Sequence, residues 1–243
     1  MAQVMKTALS SFIAVLLLGV PFTGYAADEE IQVYEDDLSP QGSAGVDVHN
    51  NFVLSGRSTP SYAGEQPPQH VYRLTPEFYY GLTDSVELGL YLLSTRASGG
   101  EIRFDGEKVR VKYVAAHDHD EGFYWGGNLE LGRTTRLVSE NPWNAQLKGI
   151  LGFRHDRWTF VANPNVDWSL SSRGGPAELS LDFRIAYATS STTKLALESY
   201  NVLGPVSQPG AFSGFDKQVF IVLDHDLTAL SCMETALSTP GEF

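Results

Sequence analysis

The densest group of chemically capable side chains in this 243-residue sequence is HDHDE, at residues 117–121. Two histidines and three carboxylates within five positions could hold Zn²⁺ or another divalent cation. The same residue types also suit a polar turn between two strands, because they form turns readily and are well solvated. His117 and His119 are therefore weak candidate metal ligands beside the simpler interpretation of a turn, and no cofactor is predicted.

The other histidines leave a similar choice. Two of these histidines lie in stretches that resemble solvated turns, DHD (224–226) and RHDR (154–157). His49 would instead face inward on a strand, beside Asp47 and Asn51. An inward His–Asp set could suggest a hydrolase. The sequence has no G-x-S-x-G nucleophile motif, P-loop or dinucleotide-binding motif. A polar interior explains these residues better, so no enzyme activity is predicted.

These residues lie among segments with a period of two, which is typical of strands that have one apolar and one polar face. In ELSLDFRIAYATSSTTKLALE (178–198), Leu181 and Phe183 would point one way and Asp182 and Arg184 the other. Ten segments show this pattern and are predicted strands: 43–55, 69–81, 85–95, 106–116, 122–134, 143–154, 157–170, 177–189, 193–202 and 215–226.

The connections between these strands alternate in length. GLTDS (81–85), HDHDEG (117–122), HDR (155–157) and TSSTT (189–193) are short, and longer links separate them. Short turns at one end and longer loops at the other are typical of an outer-membrane barrel. No helical segment or second domain is predicted.

Alternation alone fits either a soluble barrel with an apolar interior or a membrane barrel with a polar one. Charges of both signs beside glycines, aromatic residues near strand ends and strands of 11–14 residues favour the membrane barrel. We therefore predict an all-β, antiparallel, up-and-down transmembrane β-barrel of 10–12 strands, with a soluble ligand-binding barrel as the alternative.

In that arrangement one set of charged residues would line the lumen. It could form a weakly selective pore, or it could form a ladder of ion pairs that fills the barrel and blocks conduction. The predicted lumen residues are Glu130, Lys148, Arg154, Asp167, Asp182, Arg184 and Glu198.

The ends of the chain differ from the barrel. Residues 1–26 are predicted to be a signal peptide with Lys6, a short apolar core and small residues before a cut after Ala26, although an uncleaved anchor is the alternative. Residues 27–42 are predicted to be an acidic periplasmic leader, which is either a flexible stretch or a periplasmic segment. Residues 43–226 are predicted to be the barrel and residues 227–243 an atypical tail. The only cysteine excludes an intrachain disulfide, which fits an exported bacterial envelope protein.

Four stretches carry a family resemblance: YYGLTDSVELGLYL (79–92), GGNLELGR (126–133), RWTFVANPNVDWSL (157–170) and LALESYNVLGPV (195–206). They resemble bacterial outer-membrane barrels described as transporters, near the phenol-degradation meta-pathway family of outer-membrane proteins. The resemblance covers about residues 42–226. It implies an even-stranded barrel of twelve strands and passage of small molecules, and it supplies no catalytic residues.

The C-terminal sequence departs from that family. ALSCMETALSTPGEF (229–243) does not alternate, and Phe243 has the identity of a typical terminal residue without the usual strand before it. We interpret this as a truncated or altered end, or as a ten-stranded barrel that closes 215–226 against 43–55.

Together these features predict an outer-membrane barrel that acts as a passive channel or transporter for small solutes. A non-conducting structural or interaction barrel is the alternative. The expected partners are outer-membrane lipid, the barrel-assembly machinery and small-molecule solutes. The net charge of −12 argues against nucleic acid, because phosphate binding needs clustered Lys and Arg.

Overall fold

A computed structural model describes residues 32–96, 100–171, 174–210, 216–228 and 231–238, with only the backbone of residues 216, 227–228 and 231–238 described. The predicted signal peptide (1–26), residues 27–31 and Phe243 lie outside these residues. The described part of the chain is all-β. Its strands are β1 (Ala44–Val53), β2 (Tyr72–Thr83), β3 (Val86–Arg96), β4 (Ile102–Val114), β5 (Gly122–Thr134), β6 (Trp143–His155), β7 (Trp158–Ser169), β8 (Glu178–Ala188), β9 (Thr193–Pro205), β10 (Asp216–Thr228) and β11 (Ser231–Ser238).

The strands form one sheet in which each strand pairs antiparallel with the next along the chain. The eleventh strand pairs with the first, and the sheet closes into a barrel. Strand direction reverses at every step, so with an odd number of strands the first and the last run the same way. The closing pair, β1 with β11, is therefore parallel, with Val46 opposite Ser231 and Val53 opposite Ser238.

The predicted all-β, up-and-down antiparallel architecture is confirmed, and each of the ten predicted strands corresponds to one of β1–β10. The start of β4 lies four residues before the predicted position, because a bulge beside Gly106 lets pairing with β3 continue. The strand count lies within the predicted range of 10–12, but the alternative of a ten-stranded barrel that closes 215–226 against 43–55 is wrong. The tail, expected not to form a strand, supplies β11 between β10 and β1, so eleven strands replace the twelve implied by the resemblance.

Side chains alternate between the two faces of the wall. In β6, Leu147 is 53% exposed on the outer surface, whereas its neighbour Lys148 is only 6% exposed and faces inward. In β8, Asp182 and Arg184 are buried and Phe183 is exposed between them. The outer surface of the barrel is thus rich in large apolar side chains, and the interior is rich in charge. Among the described residues no helix is long and apolar enough to cross a membrane, a finding that concerns helices alone.

Part of the described chain before β1 lies inside the barrel. We call residues 32–40 the N-terminal segment, and four consecutive residues of it, 33–36, are buried. The segment leaves the lumen at the end formed by the turns 84–85, 115–121, 156–157 and 189–192, which we call the short-turn rim. There it passes over Gly81, where an added Cβ would lie 2.3 Å from the Pro40 carbonyl oxygen. Residues 33–36 are therefore packed inside the barrel, whereas the sequence alone suggested either a flexible leader or a periplasmic segment.

A glycine in β6 makes room for an aromatic ring in the interior. Gly152 pairs with Tyr124 of β5, and a Cβ at Gly152 would lie 2.0 Å from Cζ of that ring. Tyr124 is buried in a small apolar cluster with Tyr34 of the N-terminal segment and Ile150. The glycine therefore fixes where the ring lies, and the ring in turn packs against the segment.

We expect Gly152→Ala to destabilise the protein by about 1–3 kcal/mol, because Tyr124 must leave its place among packed neighbours. Urea unfolding in detergent micelles, followed by tryptophan fluorescence, would measure the change. Gly175→Ala is the matched control, since an added Cβ there meets no atom within 4 Å. Equal stability of the two variants would contradict this account of Gly152.

Candidate functional site: the occupied lumen

Tyr34 anchors the N-terminal segment to the middle of the barrel wall. Its backbone N–H donates to Oδ1 of Asn163 at 2.7 Å, and Nδ2 of Asn163 donates back to the Tyr34 carbonyl at 3.1 Å. Asn163 is inward-facing on β7 and fully buried. Its amide thus satisfies both backbone groups of Tyr34 where no neighbouring strand is available, which a buried backbone requires.

The side chain of Tyr34 is held equally closely. Its hydroxyl donates to Oε1 of Glu130 at 2.7 Å and also forms a short hydrogen bond with the Tyr91 hydroxyl. The ammonium group of Lys148 lies 5.0 Å from the ring centroid, and that of Lys112 lies 5.5 Å away. Cations at this distance from the face of an aromatic ring are attracted to it. One aromatic side chain therefore contacts wall charges of both signs.

Glu35 joins two basic residues of adjacent strands. Its Oε1 lies 2.7 Å from Nε of Arg184 on β8, and its Oε2 accepts from Nζ of Lys194 on β9 at 2.8 Å. Burial alone would raise the pKa of Glu35, but the charges of Lys194 and Arg184 outweigh it. The pKa of Glu35 is lowered to about 2 from its ordinary 4.5. Glu35 therefore stays ionised in the interior.

The next two residues repeat this pattern on other strands. Asp36 is buried and receives two hydrogen bonds from Arg154 of β6, at 2.6 and 3.0 Å. Asp37 lies at the short-turn rim, where its carboxylate is 3.3 Å from Nζ of the buried Lys112 of β4. Three consecutive acidic residues thus reach basic groups on β4, β6, β8 and β9, around much of the barrel circumference.

The seven predicted lumen residues all lie on inward-facing positions, as the strand alternation places them. Arg184 pairs with Glu198 and Asp224, and Lys148 lies 3.7 Å from Asp182. Glu130 accepts from Tyr34, as described above, and Arg154 holds Asp36. Asp167 is half-buried and instead accepts from Gln146 at 2.6 Å. Glu130, Lys148, Arg154, Asp182, Arg184 and Glu198 are therefore in ion pairs or bind the N-terminal segment directly, and Asp167 is hydrogen-bonded within the wall.

The sequence interpretation missed a second charged cluster, on β2, β3 and β4. Arg110 pairs with both Glu77 and Glu87, all three side chains being buried, and Glu77 also hydrogen-bonds to His49 at 3.1 Å. The signal was present, because Arg110 and Lys112 alternate with Val109 and Val111 in β4. His49 thus belongs to a network of lumen ion pairs.

The candidate metal ligands lie at the short-turn rim. His117 is hydrogen-bonded to the buried Asp36 at 2.7 Å, whereas His119 is largely exposed beside it. A cavity of about 770 Å³ opens at the same end, between the wall and the N-terminal segment. His119, Asp156, Thr192 and Lys194 are among its lining residues.

No family model, no curated protein and no solved structure matches this chain. The resemblance to outer-membrane transporter barrels therefore stays a prediction, and the proposals below depend on the geometry alone.

Acidification should release the N-terminal segment. Because the folded pKa of Glu35 lies below its ordinary value, its stabilisation is complete above about pH 4.5 and is lost as the pH falls through about 2. At about 1.4 kcal/mol per pKa unit the loss is about 3 kcal/mol. Hydrogen–deuterium exchange of residues 32–40, corrected for intrinsic rates, should accelerate over this range. In Glu35→Gln the exchange rate of these residues should depend less on pH. If the variant showed the same pH profile as the unchanged chain, Glu35 would not be the group that holds the segment.

Arg184 of the wall pairs with three carboxylates, those of Glu35, Glu198 and Asp224. Arg184→Met should cost roughly 3–5 kcal/mol, since it leaves Glu35, Glu198 and Asp224 facing one another in the interior. Arg157→Met, in an exposed turn, should change the free energy of unfolding by less than about 0.5 kcal/mol. Denaturant titrations of both variants in the same detergent would give the comparison. A loss at Arg184 no larger than at Arg157 would show that the pairs contribute little.

Proposed function

We propose that this chain is an outer-membrane β-barrel whose lumen is closed by its own N-terminal segment, and that small solutes pass when the segment is displaced. The observation that carries the proposal is the placement of the side chains. The charged residues are gathered inside, and large apolar residues cover the outer surface. This is the reverse of a soluble barrel and the pattern expected of one in lipid.

The energetics of the outer surface support a lipid environment. Exposed apolar surface is unfavourable in water, and monomeric soluble proteins rarely expose large continuous apolar patches. Here exposed apolar residues recur on β2–β10, for example Phe78, Val109, Leu147 and Ile221. In the hydrocarbon of a bilayer these side chains would not contact water, so the unfavourable exposure would be absent. The closed sheet meets the other requirement of lipid, which is that no strand edge is left without backbone hydrogen bonds.

A soluble barrel that binds an apolar ligand is a weaker proposal. Such a barrel needs an apolar cavity, whereas the middle of this one holds Tyr34 among Glu130, Lys148 and Arg110. The remaining cavities at the rim are lined by many charged groups. An apolar molecule would have to displace hydrogen-bonded and ion-paired side chains, which is costly in a buried setting.

A non-conducting structural barrel is the second candidate, and the N-terminal segment itself favours it. The segment is held by Asn163, Arg154, Arg184 and Lys194 from four different strands. Contacts so numerous would keep the lumen closed unless something competes for them. The two candidates therefore differ in whether the segment leaves the lumen under any condition.

A charge on the outer surface tests the location. If the barrel lies in lipid, Leu147→Arg near the middle of β6 should cost about 2–4 kcal/mol in bilayers. Leu170→Arg, 50% exposed just after β7, is the matched control and should cost about 0–1 kcal/mol near the bilayer surface. Unfolding of both variants in phospholipid vesicles gives the values. On a water-facing surface both changes should stay within about 0.5 kcal/mol, which would contradict the membrane proposal.

Planar-bilayer recording tests the closed lumen. The full chain should conduct rarely, and the double variant Glu35→Gln, Asp36→Asn should open more often, because its segment no longer neutralises Arg184, Lys194 and Arg154. Asp156→Asn is the control, since it removes a charge from an exposed turn at the same rim. If the double variant folds but is as silent as the full chain across several salts, the non-conducting barrel replaces the channel.

A further inference from the structure

We propose that the short-turn rim holds a binding site for a divalent transition metal, with Zn²⁺ as the expected cation, formed by Asp36, His117 and His119. Two of these residues belong to the turn between β4 and β5, and the third belongs to the N-terminal segment. A metal bound there would tie the segment to the rim. The site is formed by the folded chain itself and goes beyond the proposed barrel function.

The three ligand atoms already converge. One ligand atom from each residue lies within 4.8 Å of the others. Nε2 of His117 is 2.7 Å from Oδ2 of Asp36, and Nδ1 of His119 is 3.8 Å from the same oxygen. Nitrogen and oxygen ligands about 2.0–2.1 Å from a tetrahedral Zn²⁺ stand about 3.3 Å apart. The two distances lie on either side of that value, so small side-chain rotations would complete the geometry.

The hydrogen bonding of His117 favours a ligand role. Its Nδ1 lies 2.7 Å from the Ala115 carbonyl oxygen, which can only accept, so Nδ1 carries the hydrogen. The other ring nitrogen, Nε2, faces Oδ2 of Asp36 at 2.7 Å, and either a ring proton or a metal cation can lie between these two atoms. A ring N–H fixed by a backbone carbonyl is also the usual arrangement around metal-binding histidines.

Arg154 organises the site without being a ligand. Its guanidinium donates to both oxygens of Asp36 and also to the His119 carbonyl, so it holds the carboxylate and the histidine turn together. At Oδ2 of Asp36 one acceptor direction is taken by Arg154 and the other is directed at His117, where a bound metal would take the place of the direct contact. The exposed Asp118 and Asp120 beside the histidines offset the positive charge of the arginine and favour a cation at this rim.

Water can reach the site and complete the coordination. A cavity of about 460 Å³ is lined by Asp36, His119 and Arg154 and by Asp84 across the rim. Three protein ligands with a water in the fourth position form an open type of zinc site. The geometry therefore suits a site that exchanges its metal with the surroundings.

The test is metal binding by the full folded chain in detergent, after removal of metal with a chelator. Zn²⁺ titration by calorimetry, supported by the visible absorption of Co²⁺, should show one ion per chain. His119→Ala should weaken binding at least about tenfold, since even the loss of groups that only orient ligands costs about 10–100-fold. The His119 side chain is 74% exposed, so its removal should leave the fold intact. His155→Ala is the matched control, because this rim histidine is 62% exposed and pairs with Glu121 instead.

Asp36→Asn separates this site from weak binding by the exposed turn alone, and its fold is checked by heat-modifiable migration on gels. If the folded Asp36→Asn variant binds Zn²⁺ as tightly as the unchanged chain, the turn binds without the segment and the proposal is overturned. It is also overturned if the unchanged chain does not bind Zn²⁺, in which case a proton joins His117 to Asp36. Neither result depends on conductance, so failure of the barrel proposal would be seen separately.

Discussion

The structure depends on one constraint, which is that charges enclosed by the barrel must be neutralised where bulk water is scarce. Removing an ion from water costs several kcal/mol, and only close opposite charges with good hydrogen bonds compensate for it. Arg184 shows how this is done, since Glu198 and Asp224 come from neighbouring strands and Glu35 from the N-terminal segment. The charges of the wall and of the N-terminal segment therefore neutralise each other, and each would have buried charges without partners if the other were absent.

The same constraint explains why charged side chains lie inside the barrel and apolar side chains lie outside, the reverse of a soluble barrel. Since the charged side chains are satisfied inside, the outward positions of the strands are free to be apolar, as Leu147 and Phe183 are. In the proposed lipid environment closure is also necessary, because an open strand edge there cannot be hydrated. An odd number of strands achieves closure through the parallel β1–β11 pair, and this uses a C-terminal segment whose side-chain pattern would not suggest a strand.

The sequence was sufficient to predict the wall because each wall strand has two different surroundings. Asp182 and Arg184 lie inside and Phe183 outside, so a period of two is visible in the sequence. Residues 33–36 of the N-terminal segment are enclosed by the barrel, and the consecutive residues Val33, Tyr34 and Glu35 are all buried. A segment without a solvent face has no reason to alternate, so its acidic, aperiodic sequence looked like a flexible leader. The residues of β11 do not alternate, so the sequence does not indicate a strand there. β11 pairs with both β10 and β1, and this pairing makes it a strand.

The spacing of the acidic residues also explains how the N-terminal segment fills the middle of the lumen. A barrel of eleven strands has an interior that side chains fill only in part. The segment fills the middle with the ring of Tyr34 and sends Glu35, Asp36 and Asp37 outward to different strands. If these carboxylates left together, Arg184, Lys194, Arg154 and Lys112 would face a common space with fewer counter-charges. In the proposed channel, opening would therefore require another anion, or water in quantity, to replace the segment.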